Sequence, residues 1–324
     1  MTENTTRVQP TEISFNDFIA ESPQMKALVE KAKKFALLDA PLLIQGETGT
    51  GKDLLAKACH QHSERRHNKF IAVNCAGLPN EDAESEMFGQ AKGDKTTQGF
   101  FEYADGGTVL LDGVAELSLS LQAKLLRFLN DGTFRRVGEE QEHYANVRVI
   151  CTSQVPLARY VEQGKVRNDL FHRLNVLSLE LPPLHARQDD IAPLTDLFVT
   201  QISKNLGIFR PHFDQSFIDY LKNYQWQGNV RELYNALYRA CSLAENNRLS
   251  VAGLNLSPTT PGAENGFSLE QFDNLSLEQI MADFESRLLR EFYARYPSTR
   301  KLAARLGVSH TAIANKLKQY GISK

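Results

Sequence analysis

Pro41-Leu-Leu-Ile-Gln45 runs directly into Gly46-Glu47-Thr48-Gly49-Thr50-Gly51-Lys52-Asp53, and the fold class turns on that junction. An apolar run of strand length that ends in a glycine-rich turn and a lysine reads as a phosphate-binding loop. Its glycines let backbone N–H groups turn inward around phosphate oxygens, and Lys52 adds positive charge at the β and γ positions. The helix that follows aims its N-terminal dipole at the anion. The expected ligand is a nucleoside triphosphate, ATP. Asp53 departs from the usual pattern, because Ser or Thr there would ligate magnesium; its carboxylate either acts through a water or weakens the metal.

Four further apolar runs lie downstream: Phe70 to Asn74, Thr108 to Asp112, Val147 to Thr152 and Leu177 to Leu181. Amphipathic stretches separate them, such as Leu121, Leu125, Leu126 and Leu129 at helical spacing. Alternation of this kind predicts a doubly wound α/β sheet with parallel strands and a ligand at their carboxyl ends. Asp112 ends the third run and is the expected carboxylate on the Mg2+ side of the nucleotide. Gly113 follows it, where a carboxylate would normally activate water. Loss of such a group commonly lowers a rate on the order of 10²- to 10⁴-fold. Glu116, one turn on, is the nearest substitute, so slow or absent hydrolysis is expected.

The chain has 324 residues, 42% hydrophobic and 23% charged, enough for two or three domains with real cores. No apolar run reaches membrane-span length and the first residues are polar, so a cytoplasmic protein is expected. Cys59, Cys75, Cys151 and Cys241 are scattered, which suits small core residues in a reducing compartment. Cys59, His60 and His62 lie close together, but no second pair completes a regular four-ligand set. The net charge of −2 hides an asymmetry: from Pro297 to Lys324 there are basic residues and no Asp or Glu. A basic end on an acidic body reads as a polyanion-binding module.

After Pro182-Pro183 the pattern turns helical, and Asn255 to Ser268 is rich in Pro, Gly, Ser and Thr, as linkers are. The expected organisation is a tail over 1–16, an α/β nucleotide-binding part over 17–184 and a helical lid over 185–254. A linker over 255–274 and a small all-α domain over 275–324 complete it.

Glu86-Met87-Phe88-Gly89, Asp105-Gly106-Gly107-Thr108, Leu111-Asp112, Arg167 to Asn175, Leu181-Pro182-Pro183-Leu184 and Trp226 to Leu233 follow one another in the chain. In this order they resemble the central AAA+ domain of bacterial enhancer-binding transcription regulators, over about Asp17 to Asn255. The resemblance implies that Arg167 and Arg173 are arginine fingers reaching a neighbour's γ-phosphate and that Arg231 is the sensor on the lid. It also places Ser153 and Gln154 at the first sensor and Ile19 near the adenine. Arginine suits such roles because its planar, permanently charged fork pairs two phosphate oxygens.

Members that remodel sigma-54 polymerase carry a Gly-Ala-Phe-Thr-Gly-Ala loop. Here Phe88-Gly89 is followed by Gln-Ala-Lys-Gly-Asp-Lys-Thr-Thr-Gln and then Gly99-Phe100-Phe101-Glu102, so that loop is short and lacks its aromatic. Together with Gly113, this resembles the tyrosine-repressor branch, aromatic-amino-acid regulators that act on promoters of the main sigma factor. The resemblance implies ATP-supported tyrosine binding, assembly of a dimer to a hexamer, and RNA polymerase with the main sigma factor as a partner. Longer members have an N-terminal domain linked to activation, and about sixteen residues precede the ATPase segment here, so repression alone is expected. The rival expectation is an active ATPase that activates sigma-54 polymerase.

From Thr299 to Tyr320, Leu302, Ala303, Leu306, Val308, Ile313 and Leu317 fit two short helices joined at Gly307-Val308-Ser309, a helix-turn-helix pattern. Ser309 is placed to cap the second helix. Its exposed residues would be His310, Thr311, Asn315, Lys316 and Gln319, facing the major groove of operator DNA. Thr311, Asn315 and Gln319 suit base edges, and Arg300, Lys301, Lys316 and Lys318 suit phosphates. The segment resembles the Fis-type domain usual at the end of these regulators. Ile280, Phe284, Leu288 and Phe292 form an apolar stripe suited to dimerisation or core packing.

Overall fold

The computed structural model describes residues 7–8, 13–78, 82–244, 246–256, 285–286, 288–290, 292–293 and 298–322. They belong to two compact units, Met1–Ser257 and Pro258–Lys324. The expected linker beyond Leu256 and the stripe residues Ile280 and Phe284 lie outside the described residues.

The larger unit contains strands β1 (Arg7–Val8), β2 (Leu42–Gln45), β3 (Phe70–Asn74), β4 (Gln90–Lys92) and β5 (Lys95–Thr97). They are followed by β6 (Thr108–Asp112), β7 (Thr133–Arg135), β8 (Glu142–Tyr144), β9 (Arg148–Ser153) and β10 (Leu177–Glu180). The main sheet has the order β1-β3-β6-β9-β2-β10. All its pairings are parallel except that of β1 with β3 at the edge. The apolar runs therefore became the parallel strands, within a residue or two at each end. Their side chains alternate between two cores. Leu43, Ile71, Val109 and Cys151 enter one, while Leu42, Ile44, Leu110 and Ile150 enter the other. Burial on both faces is why these strands read as unbroken apolar runs.

The register sets Asn74 beside Asp112 and Gln45 beside both Ser153 and Glu180, so all carboxyl ends share one edge. At the opposite ends, Arg148 is 3% exposed and donates to the carbonyls of Phe35 and Ala36 at 2.8 and 2.5 Å. A buried guanidinium thus closes the C-terminus of helix Pro23–Ala36, where free carbonyls and the helix dipole favour a cation. The other end of that helix is tied to the start of the lid. The Asp190 carboxylate accepts from the Glu21 and Ser22 N–H groups at 2.7 and 2.8 Å.

The lid holds helices Ile191–Leu206, Gln215–Asn223, Asn229–Ser242 and Val251–Leu254 around the fully buried Trp226. Trp226 donates its indole N–H to the Leu221 carbonyl at 2.7 Å. The only strand-like pairing described there is an isolated bridge between His212 and Arg248.

The two-residue strand β1 and two small hairpins, β4–β5 and β7–β8, have no counterpart in the apolar pattern. β4 and β5 are polar and exposed or half-buried, so no alternation marks them. The dipeptide Gly93-Asp94 between them is nevertheless a two-residue hairpin signal. This hairpin lies between Phe88-Gly89 and Gly99, the stretch in which the resemblance placed the contact loop.

In the smaller unit, helices Thr299–Leu306 and His310–Gln319 pack through Leu302, Ala303, Ile313 and Leu317 with Leu289. Two details differ from the sequence reading. Val308 is 46% exposed because it lies in the turn itself, its N–H closing back on the Ala303 carbonyl at 3.1 Å. Leu288 points outward and Leu289 is buried, so the inward face continues through Phe292 and Tyr293, three and four positions on.

Trp226→Ala should destabilise the lid by about 3–5 kcal/mol, the usual cost of emptying a buried aromatic site. Urea unfolding followed by circular dichroism measures it, and a loss below about 1 kcal/mol would show that the lid core closes without the indole.

Candidate functional site

The phosphate loop leaves β2 with its ladder still running, the Gly46 N–H bonding the Ser153 carbonyl at 3.1 Å. Gly49 is forced by contact: its φ is +80°, and a Cβ there would come within 2.2 Å of the Gly228 carbonyl oxygen. The loop is therefore pressed against the lid backbone, and the Val230 N–H donates to the Gly49 carbonyl at 3.0 Å. Asn229, fully buried at a φ of +52°, links three segments. Its Nδ2 reaches Glu47 Oε2 at 3.0 Å and the Thr48 carbonyl at 3.1 Å, and its Oδ1 accepts from the Leu184 N–H at 2.7 Å. Arg187 adds a bond to the Thr50 carbonyl at 2.9 Å.

Lys52 opens helix Lys52–Gln61 and donates to the carbonyls of Gly46 and Glu47 at 2.7 and 2.9 Å. Burial pulls its pKa down, while the Asp112 and Asp53 carboxylates oppose that shift. Asp53 is pushed the other way, up, by burial and then by Asp112. A cleft of about 410 Å3 opens here. The loop residues Thr48, Gly51, Lys52 and Asp53 form one wall, Asp112 and Gln154 the sheet edge, and Val230, Arg231 and Tyr234 the lid wall. Its size falls within the range of small-molecule and cofactor pockets.

At the sheet edge, Asp112 Oδ1 accepts from the Thr152 hydroxyl at 2.5 Å, and the same hydroxyl accepts from the Gly113 N–H at 3.0 Å. Gly113 lies at φ 78°, ψ 52°, a left-handed conformation that costs an L-residue about 1–2 kcal/mol. A Cβ added there would meet Glu116 Cγ at 3.6 Å, so Glu116, which is exposed, flanks the position its side chain would otherwise share.

Arg231 lines this cleft, but Arg167 and Arg173 do not. Arg167 is exposed and bonds both carboxylate oxygens of Asp169, at 3.0 and 2.7 Å. Arg173 donates twice to the Leu129 carbonyl, at 3.2 and 2.7 Å. The Ser153 hydroxyl bonds the Val155 carbonyl at 2.5 Å, leaving Gln154 as the member of that pair in the cleft wall. Ile19 packs on the lid's apolar cluster and is absent from the cleft lining.

Asn229, Arg187, Phe198 and Tyr234 were not singled out by sequence. Asn229 and Val230 sit inside the Trp226 to Leu233 motif, and an Asn next to Gly is a residue that tolerates positive φ. No local signal marks Arg187, whose partner carbonyl is 137 positions away.

In the helical hairpin, Ser309 caps the second helix through the Ala312 N–H at 3.2 Å. Thr311, Asn315, Lys318 and Gln319 are exposed, as are Arg300 and Lys301. His310 is exposed as well and meets the Thr299 hydroxyl at 2.7 Å. Lys316 is half-buried and ion-paired with Glu285, whose other oxygen accepts from the Tyr320 hydroxyl at 2.8 Å. That pairing makes Lys316 part of the domain's own packing.

Asn229→Ala should weaken nucleotide binding about tenfold or more, since it removes buried hydrogen bonds and places Ala at positive φ. Titration with a fluorescent ATP analogue checks this; unchanged affinity would show that the lid seats without the carboxamide.

Models of known families match the chain in sequence order: the sigma-54 interaction domain over residues 18–180, an AAA+ ATPase lid domain over 185–265 and a helix-turn-helix domain over 274–323. The HTH-type transcriptional regulatory protein TyrR of Haemophilus influenzae is 66% identical over 310 residues, 96% of this chain and 96% of its own length. TyrR of Enterobacter agglomerans is 51% identical over 97% of this chain, which spans 60% of that longer relative. Among solved structures, NtrX from Brucella abortus in complex with ADP aligns at a TM-score of 0.71 and 31% identity, covering 94% of this chain and 69% of that one. The order of the three matched domains and the extent of these identities agree, and the chain belongs to the TyrR family of helix-turn-helix transcriptional regulators, with an AAA+ nucleotide-binding domain.

Proposed function

We propose that this regulator is a repressor of genes for aromatic amino acid biosynthesis and transport, in which ATP binding serves assembly and not motor work. The observation that carries the reading is Gly113. Lys52, Asp53, Asp112 and Arg231 keep a complete anion and cation frame around the cleft, yet the residue after Asp112 offers a backbone N–H in place of a carboxylate. ATP is the nucleotide, with Mg2+ held on the Asp112 and Asp53 side. Tyrosine is the effector, and the assembly grows from dimer to hexamer. Arg167 and Arg173, which do not line the chain's own cleft, serve a neighbour's nucleotide. The polymerase partner carries the main sigma factor, because the short β4–β5 hairpin offers no aromatic contact loop.

The sigma-54 interaction match favours a second reading, an ATPase that activates sigma-54 polymerase. Turnover separates the two. Wild-type protein should bind ATP and release phosphate slowly, and Gly113→Glu should raise the rate by roughly tenfold or more, short of a full 10²–10⁴ because of the left-handed backbone. Brisk wild-type turnover in a phosphate-release assay would favour the motor.

Sedimentation velocity with ATP tests the assembly reading. Added tyrosine should shift the wild type to a larger species and leave Lys52→Ala unshifted; a Lys52→Ala protein that still responds would remove ATP from the scheme.

A further inference from the structure

A separate cleft of about 300 Å3 lies between helix Ala83–Phe88, helix Leu119–Asp131 and the β7–β8 hairpin. It shares no lining residue with the nucleotide cleft. Phe88 and Phe134 line it; they are 1% and 4% exposed, with ring centroids 6.1 Å apart. Its rim carries both signs. Lys124 is ion-paired with Glu84, Arg127 with Glu142, and Arg136 with Glu102 and Glu139. Pairs as open as the first two contribute little in water and exchange partners readily.

The volume is at the lower end for ligand pockets, which suits a molecule of amino-acid size. With both rings almost covered, Phe88 and Phe134 offer an edge to a ring in the cleft. A two-signed rim takes a carboxylate on Lys124 and Arg127, and an ammonium on Glu84 and Glu139.

We propose that this cleft is the effector site, taking a small zwitterion with an aromatic side chain, and that helix Leu119–Asp131 relays its occupancy to Arg167 and Arg173. The proposal rests on the reading that tyrosine is the effector. At about 100° per residue, Lys124 and Arg127 lie on the opposite side of that helix from Gln122 and Leu129. Gln122 is fully buried. Its Nε2 donates to the Leu117 and Lys165 carbonyls at 2.8 Å each, and its Oε1 accepts from the Arg167 N–H at 2.9 Å. The Leu129 carbonyl holds Arg173. One helix therefore carries the effector rim on one face and anchors both arginines, Arg167 through the Gln122 side chain on the other face and Arg173 through the Leu129 backbone carbonyl near its C-terminus. The cleft wall is also tied to the β4–β5 hairpin: the Val137 N–H donates to Gly89, and its carbonyl accepts from the Ala91 N–H, both at 2.9 Å.

A rival cleft of about 280 Å3, lined by Asp39, Arg65, Tyr144 and Arg173, fits an amino acid less well. Its Arg65 is already held by Gly107, Asn146 and Asp39 at 2.6–3.0 Å.

Calorimetric titration of L-tyrosine into the full chain with saturating ATP tests the proposal. The double variant Lys124→Ala/Arg127→Ala and the cleft-filling Val137→Trp should each bind tyrosine at least tenfold more weakly, with unchanged ATP affinity as the check on folding. Tyr144→Ala should bind as the wild type does. Gln122→Met should keep tyrosine affinity and lose tyrosine-driven assembly. Tyrosine affinity within twofold of wild type in the double variant, or lost in Tyr144→Ala, overturns the site while leaving the effector reading intact. No tyrosine binding by the wild type removes that reading and the proposal together. Assembly unaffected in Gln122→Met removes the helix as relay.

Discussion

The backbone seam between lid and phosphate loop is the constraint on which the nucleotide site depends. The Gly49 carbonyl receives the Val230 N–H, the Asn229 carboxamide spans Glu47, Thr48 and Leu184, and no room is left for a side chain at position 49. Shape is thereby fixed on both walls of one cleft. The loop and the lid helix bearing Arg231 are therefore coupled by direct hydrogen bonds. Asp190 extends the coupling to helix Pro23–Ala36 through its bonds to Glu21 and Ser22.

Within that frame the electrostatics favour a bound polyphosphate. The Lys52 ammonium is buried and held by loop carbonyls; phosphate oxygens would supply charge that neutral carbonyls do not. Burial and then Asp112, facing the same space, raise the proton affinity of Asp53, a tension that a cation relieves. What the frame lacks is a carboxylate beyond Asp112. The left-handed backbone at Gly113 gives its N–H to the Thr152 hydroxyl, which in turn bonds Asp112, so the strand end orients Asp112.

The arginines show the same economy of contacts at longer range. Each is held on its own chain, Arg167 by the Asp169 carboxylate and Arg173 by the Leu129 carbonyl. In the smaller unit, the Lys316–Glu285 pair commits a basic side chain to packing, whereas Arg300, Lys301, Arg305 and Lys318 are exposed.

Local chemistry settled much of this before any fold was known. Unbroken apolar runs announced parallel strands because burial on both faces excludes polar residues, and the glycine-lysine spacing announced the phosphate loop because few other sequences can wrap an anion. Gly307 and Ser309 marked the helical turn by their conformational and capping preferences. Edge strand β1 and the strands of the two small hairpins carry no apolar period because their stability comes from partners, and only the Gly93-Asp94 turn of β4–β5 left a mark in the sequence. Arg187, Asn229 and Gln122 escaped for a related reason: each acts by bonding backbone atoms far away in the chain, and a carbonyl carries no sequence signature. The sequence by itself therefore determined the class of fold and the kind of ligand. Only the tertiary structure decided which side chains close the cleft and where the arginines rest, because those depend on distances between segments that the order of residues does not encode.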